Sequence, residues 1–270
     1  MNKHILSILL LLPTMILTDT HTHLYSSQFD EDRTAVIESC ISKGISRLFL
    51  PGIDSESING MLALEKQFPE NCFAMMGLHP CSVKENYKEE LALVEEWLNK
   101  RDFCAIGEIG IDLYWDKSTL AIQQEAFKTQ IKWAKERNIP FVIHCRDAFD
   151  EIFEIMDELN DDNMQGIFHC FTGNLAQANH IINYGGFKLG IGGVVTFKNA
   201  GLDKVVEQIG LQHLVLETDS PYLAPTPYRG KRNESSYLVN IADKISDLHQ
   251  ISVEEVAEIT TANSKEVFGF

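Results

Sequence analysis

The runs Phe103-Cys104-Ala105-Ile106-Gly107-Glu108 and Pro140-Phe141-Val142-Ile143-His144 decide the fold. Each is a short apolar stretch that stops on a polar side chain. Between them, Leu120 to Asn138 carries Ile122, Phe127, Ile131 and Ala134 at helical spacing. Strand, helix, strand in that order is the pattern of a parallel pair joined by a crossover helix. Working outward, Met15–Asp19, Arg47–Pro51 and Cys72–Gly77 precede this unit, and Gly166–His169, Phe187–Ile191 and Leu214–Glu217 follow it. Helical patterns recur between them, as from Glu89 to Lys100 with Leu91, Leu93, Val94 and Leu98. Eight such units predict an α/β fold of one domain, a TIM (β/α)8 barrel over residues 15–270, with its active site at the C-terminal strand ends. An open doubly wound sheet is the alternative, but no Gly-x-Gly-x-x-Gly turn supports it.

Composition narrows the partners. The chain has 270 residues, and 39 acidic against 23 basic side chains give a formal net charge of -16. That balance disfavours broad attraction to polyanions, so any nucleic-acid contact has to be local, through a small basic patch or bound cations. The six cysteines (Cys40, Cys72, Cys81, Cys104, Cys145, Cys170) form no Cys-x-x-Cys pair and are read as reduced thiols. Cys145 and Cys170 each follow a histidine, so on a strand they are expected to point away from it.

Residues 1–14 are apolar and signal-like, but Ser7, Pro13 and Thr14 interrupt the run, which is too short to span a bilayer and lacks a small-x-small cleavage site. They are read as an extension or a non-native start, which makes the protein cytoplasmic; the alternative is export, if cleavage falls before Met15. No membrane association is expected.

Candidate ligands collect where the apolar runs give out. Asp19, His21 and His23 alternate, so on an extended chain all three project to one face. Taken singly, a His-x-His pair is as readily structural as metal-binding. Glu108, flanked by Gly107 and Gly110, ends the fourth run, and one carboxylate can bridge two cations, one oxygen to each. His144 and His169 end the fifth and sixth runs, and Asp219 lies just past the eighth, which in a closed barrel returns beside the first. The resulting expectation is two divalent ions, one on His21, His23, Glu108 and Asp219, the other on Glu108, His144 and His169. Mixed nitrogen and oxygen donors suit zinc, manganese or magnesium better than calcium. Such a pair acidifies a bridging water, with Asp219 placed to take its proton, which is the logic of hydrolysis.

At this point a family becomes recognisable. Asp19-Thr20-His21-Thr22-His23-Leu24, Gly77-Leu78-His79-Pro80, Gly107-Glu108-Ile109-Gly110-Ile111-Asp112, His144-Cys145-Arg146-Asp147-Ala148, His169-Cys170-Phe171-Thr172-Gly173 and Glu217-Thr218-Asp219-Ser220-Pro221-Tyr222-Leu223 together resemble the TatD family of metal-dependent deoxyribonucleases, in the amidohydrolase superfamily. The resemblance implies hydrolysis of DNA phosphodiester bonds, as an exonuclease, on the two-metal site named above. It also implies substrate-side roles for His79, Arg146 and the segment Tyr228 to Glu234. Within that segment Arg229, Lys231 and Arg232 are the densest basic cluster in the chain, and they are expected to meet phosphates. The chain departs from the family pattern where Asn233-Glu234 is followed by Ser235 and not proline. Asp112 and Glu217 are expected to orient ligands. Trp97, Trp115 and Trp133 are read as packing residues, with Trp115 near the mouth. The rival readings are an amidohydrolase of a small ester, lactone or amide, and a non-catalytic binding barrel; function lives in the loops and not in the barrel.

Overall fold

The computed structural model describes residues 15–270, so the reading of residues 1–14 lies outside the described residues. Among the described residues eight strands run in chain order: β1 (Leu17–Asp19), β2 (Ile45–Leu50), β3 (Cys72–Ala74), β4 (Ile106–Asp112), β5 (Phe141–Arg146), β6 (Gly166–Phe168), β7 (Phe187–Ile191) and β8 (Leu214–Leu216). The helices are α1 (Arg33–Ser42), α2 (Ser55–Gln67), α3 (Tyr87–Lys100), α4 (Leu120–Arg137), α5 (Phe149–Leu159), α6 (Leu175–Asn183), α7 (Leu202–Val206), α8 (Leu238–His249) and α9 (Val253–Phe268).

All pairings are parallel, in the orders β1-β2-β3 and β4-β5-β6-β7-β8. Parallel bridges Met76↔Ile106 and Thr22↔Ser220 join the two groups at both seams. The sheet is thereby closed, as a TIM barrel requires.

Two apolar layers hold it. The larger lies between strands and helices. The smaller takes Phe49, Met75, Ala105, Val142, Ile167 and Val215 from the strands or their flanks, together with Val267 of α9, and fills the barrel interior. Phe268 stacks on Phe49 at 3.9 Å between ring centroids, and the Arg47 guanidinium lies 4.1 Å over the Phe270 ring, so the C-terminal residues plug the end opposite the candidate site.

The interior layer explains where the site points. His144, His169 and Glu217 lie two residues beyond Val142, Ile167 and Val215, so strand alternation aims them inward. Strands β1 and β4 break this simple parity, with register shifts between Leu17 and Thr18 and between Ile106 and Ile109. Leu17 and Ile106 therefore pack outward while His21 and Glu108 still reach the interior.

Candidate metal centre

The site is built from strand ends that lock one another. Asp19, fully buried, accepts hydrogen bonds from Thr218 N (2.9 Å) and Thr218 Oγ1 (2.6 Å), tying β1 to the residues after β8. It also accepts from His21 N at 3.3 Å. Asp19 thus stands apart from the donor cluster, against the expectation of a shared face, and braces the strand ends through Thr218. Burial raises its pKa to about 7 in spite of these hydrogen bonds. Gly110 has φ +145°, and a Cβ there would lie 2.0 Å from the His144 carbonyl oxygen, so only glycine lets β4 and β5 approach at this level.

Glu108 stands at the centre, and its two oxygens face different partners. Oε2 lies 3.0 Å from His21 Nε2 and 3.8 Å from His23 Nε2. Asp219 Oδ1 completes that side at 3.4 Å from His23 Nε2 and 3.9 Å from His21 Nε2. Oε1 lies 2.6 Å from His144 Nδ1, 3.3 Å from His79 Nε2 and 3.6 Å from His169 Nε2. Partners stand behind the rings: His144 Nε2 is hydrogen-bonded with Asp112 Oδ2 at 2.9 Å and His23 Nδ1 with the Tyr25 hydroxyl at 2.9 Å, while His169 Nδ1 lies 2.9 Å from Glu217 Oε1 without the alignment of a hydrogen bond. Carboxylate and hydroxyl partners of this kind fix ring orientation and tautomer in metal sites.

The donors fit cations. Both ring nitrogens of His21 are buried without a hydrogen bond, although Nε2 is within 3.0 Å of Glu108, so the two are close but misaligned for sharing a proton. Converging donors without a hydrogen bond could ligate a common ion. Burial, helped by the charge of His169, lowers the His21 pKa to about 4 and keeps it a neutral imidazole. Burial opposes ionisation of Glu108, but His79, His21 and His169 outweigh it and hold the carboxyl well below its usual range. His169 goes the other way: against burial, Glu217 and Glu108 raise it to about 10. Carboxylates that hold a proton so firmly can hold a metal cation in its place.

Access is from one side. Side-chain exposure is 0% at His21 and 2% at Glu108 but 14% at both His79 and Asp219, and 15% at His144. These last three face a cavity of ≈ 640 Å³ that also reaches Arg146, Trp115, Tyr222 and Leu223.

Every expected ligand and His79 converge here, and His79 sits inside the donor cluster, nearer Glu108 than His169 is. The basic loop does not join them. Arg232 is taken by Asp32 through two hydrogen bonds (2.8 and 2.6 Å), with Gln28 O and Glu234 beside it, and Arg229 stacks over Phe197 at 3.8 Å. Lys231 likewise does not line the cavity. Two readings of packing direction need correction. Trp115 is 73% exposed and packs no core. Cys170 and Cys145 both line the cavity; β6 ends at Phe168, and Cys170, itself left-handed (φ 46°), breaks the alternation there. Thr172 and Tyr222, which the sequence did not single out, also line it.

The sequence model of TatD related DNases matches residues 18–269. The chain belongs to this family. Among its relatives, the metal-dependent hydrolase YabD of Bacillus subtilis is 40% identical over 94% of this chain and 99% of its own length. A protein of Salmonella typhimurium named 3'-5' ssDNA/RNA exonuclease TatD is 31% identical over 93% and 98%. The crystal structure of the Escherichia coli TatD homolog YJJV superposes with a TM-score of 0.88 at 26% identity, over 94% of this chain and 98% of that one. The TatD chain described here is therefore a metal-dependent hydrolase by family, and its buried His/Glu cluster could hold metal. No helix among the described residues is long and apolar enough to cross a membrane.

Proposed function

We propose that this TatD relative hydrolyses DNA phosphodiester bonds as an exonuclease acting on single strands or ends. The observation that carries the reading is the division of Glu108, with one oxygen toward His21, His23 and Asp219 and the other toward His144 and His169. Those six residues would hold two divalent ions, zinc, manganese or magnesium. Bound there, such ions supply an acidified water and a clamp for the charge that develops on phosphate.

The chain's own groups do the rest. Although burial opposes it, the neighbouring histidines keep Asp219 ionised, so its carboxylate can accept the proton of the attacking water. Arg146, exposed at the mouth, offers a planar fork to a phosphate. His79, lowered by burial, presents Nε2 beside Glu108 while Nδ1 accepts from Cys81 N at 2.9 Å. Arg232 anchors the loop after β8 to Asp32. The exonuclease name of the Salmonella relative supports the choice of nucleic acid over a small ester.

The test is a release assay on single-stranded DNA, duplex DNA and small esters, lactones and amides, with elemental analysis of the same protein. Metal-dependent release of nucleotides from single strands is expected. Fast turnover of a small ester with no DNA cleavage would instead assign an amidohydrolase of small molecules. Protein that takes up no metal and cleaves nothing would leave a binding barrel.

A further inference from the structure

An exposed aromatic pair stands beside the donor cluster. Tyr114 and Trp115 follow β4 after the buried Leu113, are 53% and 73% exposed, and pack edge to face at 4.8 Å between ring centroids. Large exposed rings cost solvation unless a partner covers them. The Arg146 guanidinium lies 3.8 Å over the Tyr114 ring and 5.7 Å from that of Trp115. Among the described residues it has no ion pair or hydrogen bond, so all its donors are free.

The pair is tied to the chemistry through one carboxylate. Asp112 Oδ1 accepts from Tyr114 N at 3.0 Å and, at 3.4 Å, from Trp115 N, while its Oδ2 lies 2.9 Å from His144 Nε2. Two cavities adjoin beside the rings. Trp115 lines the ≈ 640 Å³ cavity over Glu108, Tyr114 lines an adjoining one of ≈ 600 Å³, and Cys145, Arg146 and Thr172 belong to both. Two adjoining spaces of this size suit neighbouring units of a chain better than one compact ester.

We propose that Trp115, braced edge-on by Tyr114, forms a shelf on which the unpaired base next to the scissile phosphodiester stacks, with Arg146 on Tyr114 holding the phosphate between that base and the metals. The proposal rests on the nucleic-acid reading above and adds what selects a single strand: a base inside a duplex keeps its own neighbours and cannot stack here. The shelf reads no sequence, because every base has a π face.

The experiment compares wild-type protein, Trp115→Ala and Trp115→Phe, all metal-loaded, on two single strands. One is ordinary; in the other the last two nucleotides at each end lack bases. Trp115→Ala should raise KM about tenfold more on the ordinary strand than on the base-less one, and Trp115→Phe should recover part of the loss. In parallel, a phosphorothioate oligothymidylate that resists cleavage should quench tryptophan fluorescence in wild type, and far less in Trp115→Phe. Equal losses on the two strands, or quenching that survives Trp115→Phe, would overturn the shelf while leaving the nuclease reading intact. Wild-type protein that cleaves neither strand would overturn the nuclease reading, and the shelf with it.

Discussion

Glu108 and Glu217 divide the work at the site, one at its centre and one behind it. Glu217 is fully buried, accepts from Cys170 N at 2.6 Å, lies beside His169 Nδ1, and leaves Oε2 without a hydrogen bond. A Cβ on Gly190 would come within 2.2 Å of that oxygen, so the carboxylate occupies space a larger residue would fill. Glu217→Gln should therefore lower metal affinity by about 10- to 100-fold with every expected ligand intact, measured by titration calorimetry. Unchanged affinity would mean that His169 needs no orienting partner. Glu108→Ala should abolish cleavage while preserving the circular dichroism spectrum, and near wild-type hydrolysis would remove the bridging role. The ligand residues were legible because each ends an apolar run, where a polar side chain has no packing purpose. The direction of Cys170 and the exposure of Trp115, though not its place near the mouth, were not, because beyond a strand end the alternation of faces no longer applies.

Among the elements, the segment after β8 shows what spacing alone conveys and what it does not. Its basic residues look like a phosphate-binding cluster, yet the chain uses Arg232 to pin the loop to Asp32, which precedes α1. Two residues N-terminal to Ser235, the buried Asn233 donates to Thr218 O (2.7 Å) and Tyr222 O (2.6 Å), holding the turn that carries Asp219. Ser235 meets Thr22 Oγ1 at 2.9 Å, between His21 and His23. A charge count cannot reveal such pairings, because they depend on which loop arrives opposite. Asn233→Ala leaves two carbonyls without their donor and should cost about 2–4 kcal/mol by urea denaturation, with a loss of activity that exceeds the loss of fold. If unfolding is unchanged, the turn is held by other contacts. The strand order and the helices, α4 above all, followed from periodicity; the register shifts in β1 and β4 did not, because a bulge leaves no periodic trace.

Across the whole molecule, metal, protonation and stability are one linked equilibrium. An acidic barrel that gathers His21, His23, His79, His144 and His169 around Glu108 and Asp219 has concentrated titratable groups where solvent is scarce. Any ion that binds only the folded chain stabilises it, by about 2.7 kcal/mol at a hundredfold excess over Kd. For a domain of this size, that corresponds to a rise in Tm on the order of 5–10 °C. The pH dependence has a definite sign. In the metal-free protein, His169 has its folded pKa raised from 6.5 to about 10, so its contribution is complete below the unfolded value and is lost as pH rises toward about 10. Metal binding displaces that proton, so affinity grows over the same range. The difference in Tm between loaded and EDTA-stripped protein should accordingly widen from pH 6 to pH 8.5, by calorimetry at fixed free zinc or manganese. A gap that is absent, or that narrows with rising pH, would show that the histidine cluster holds protons and not metal, and the two-ion reading of Glu108 would fall with it.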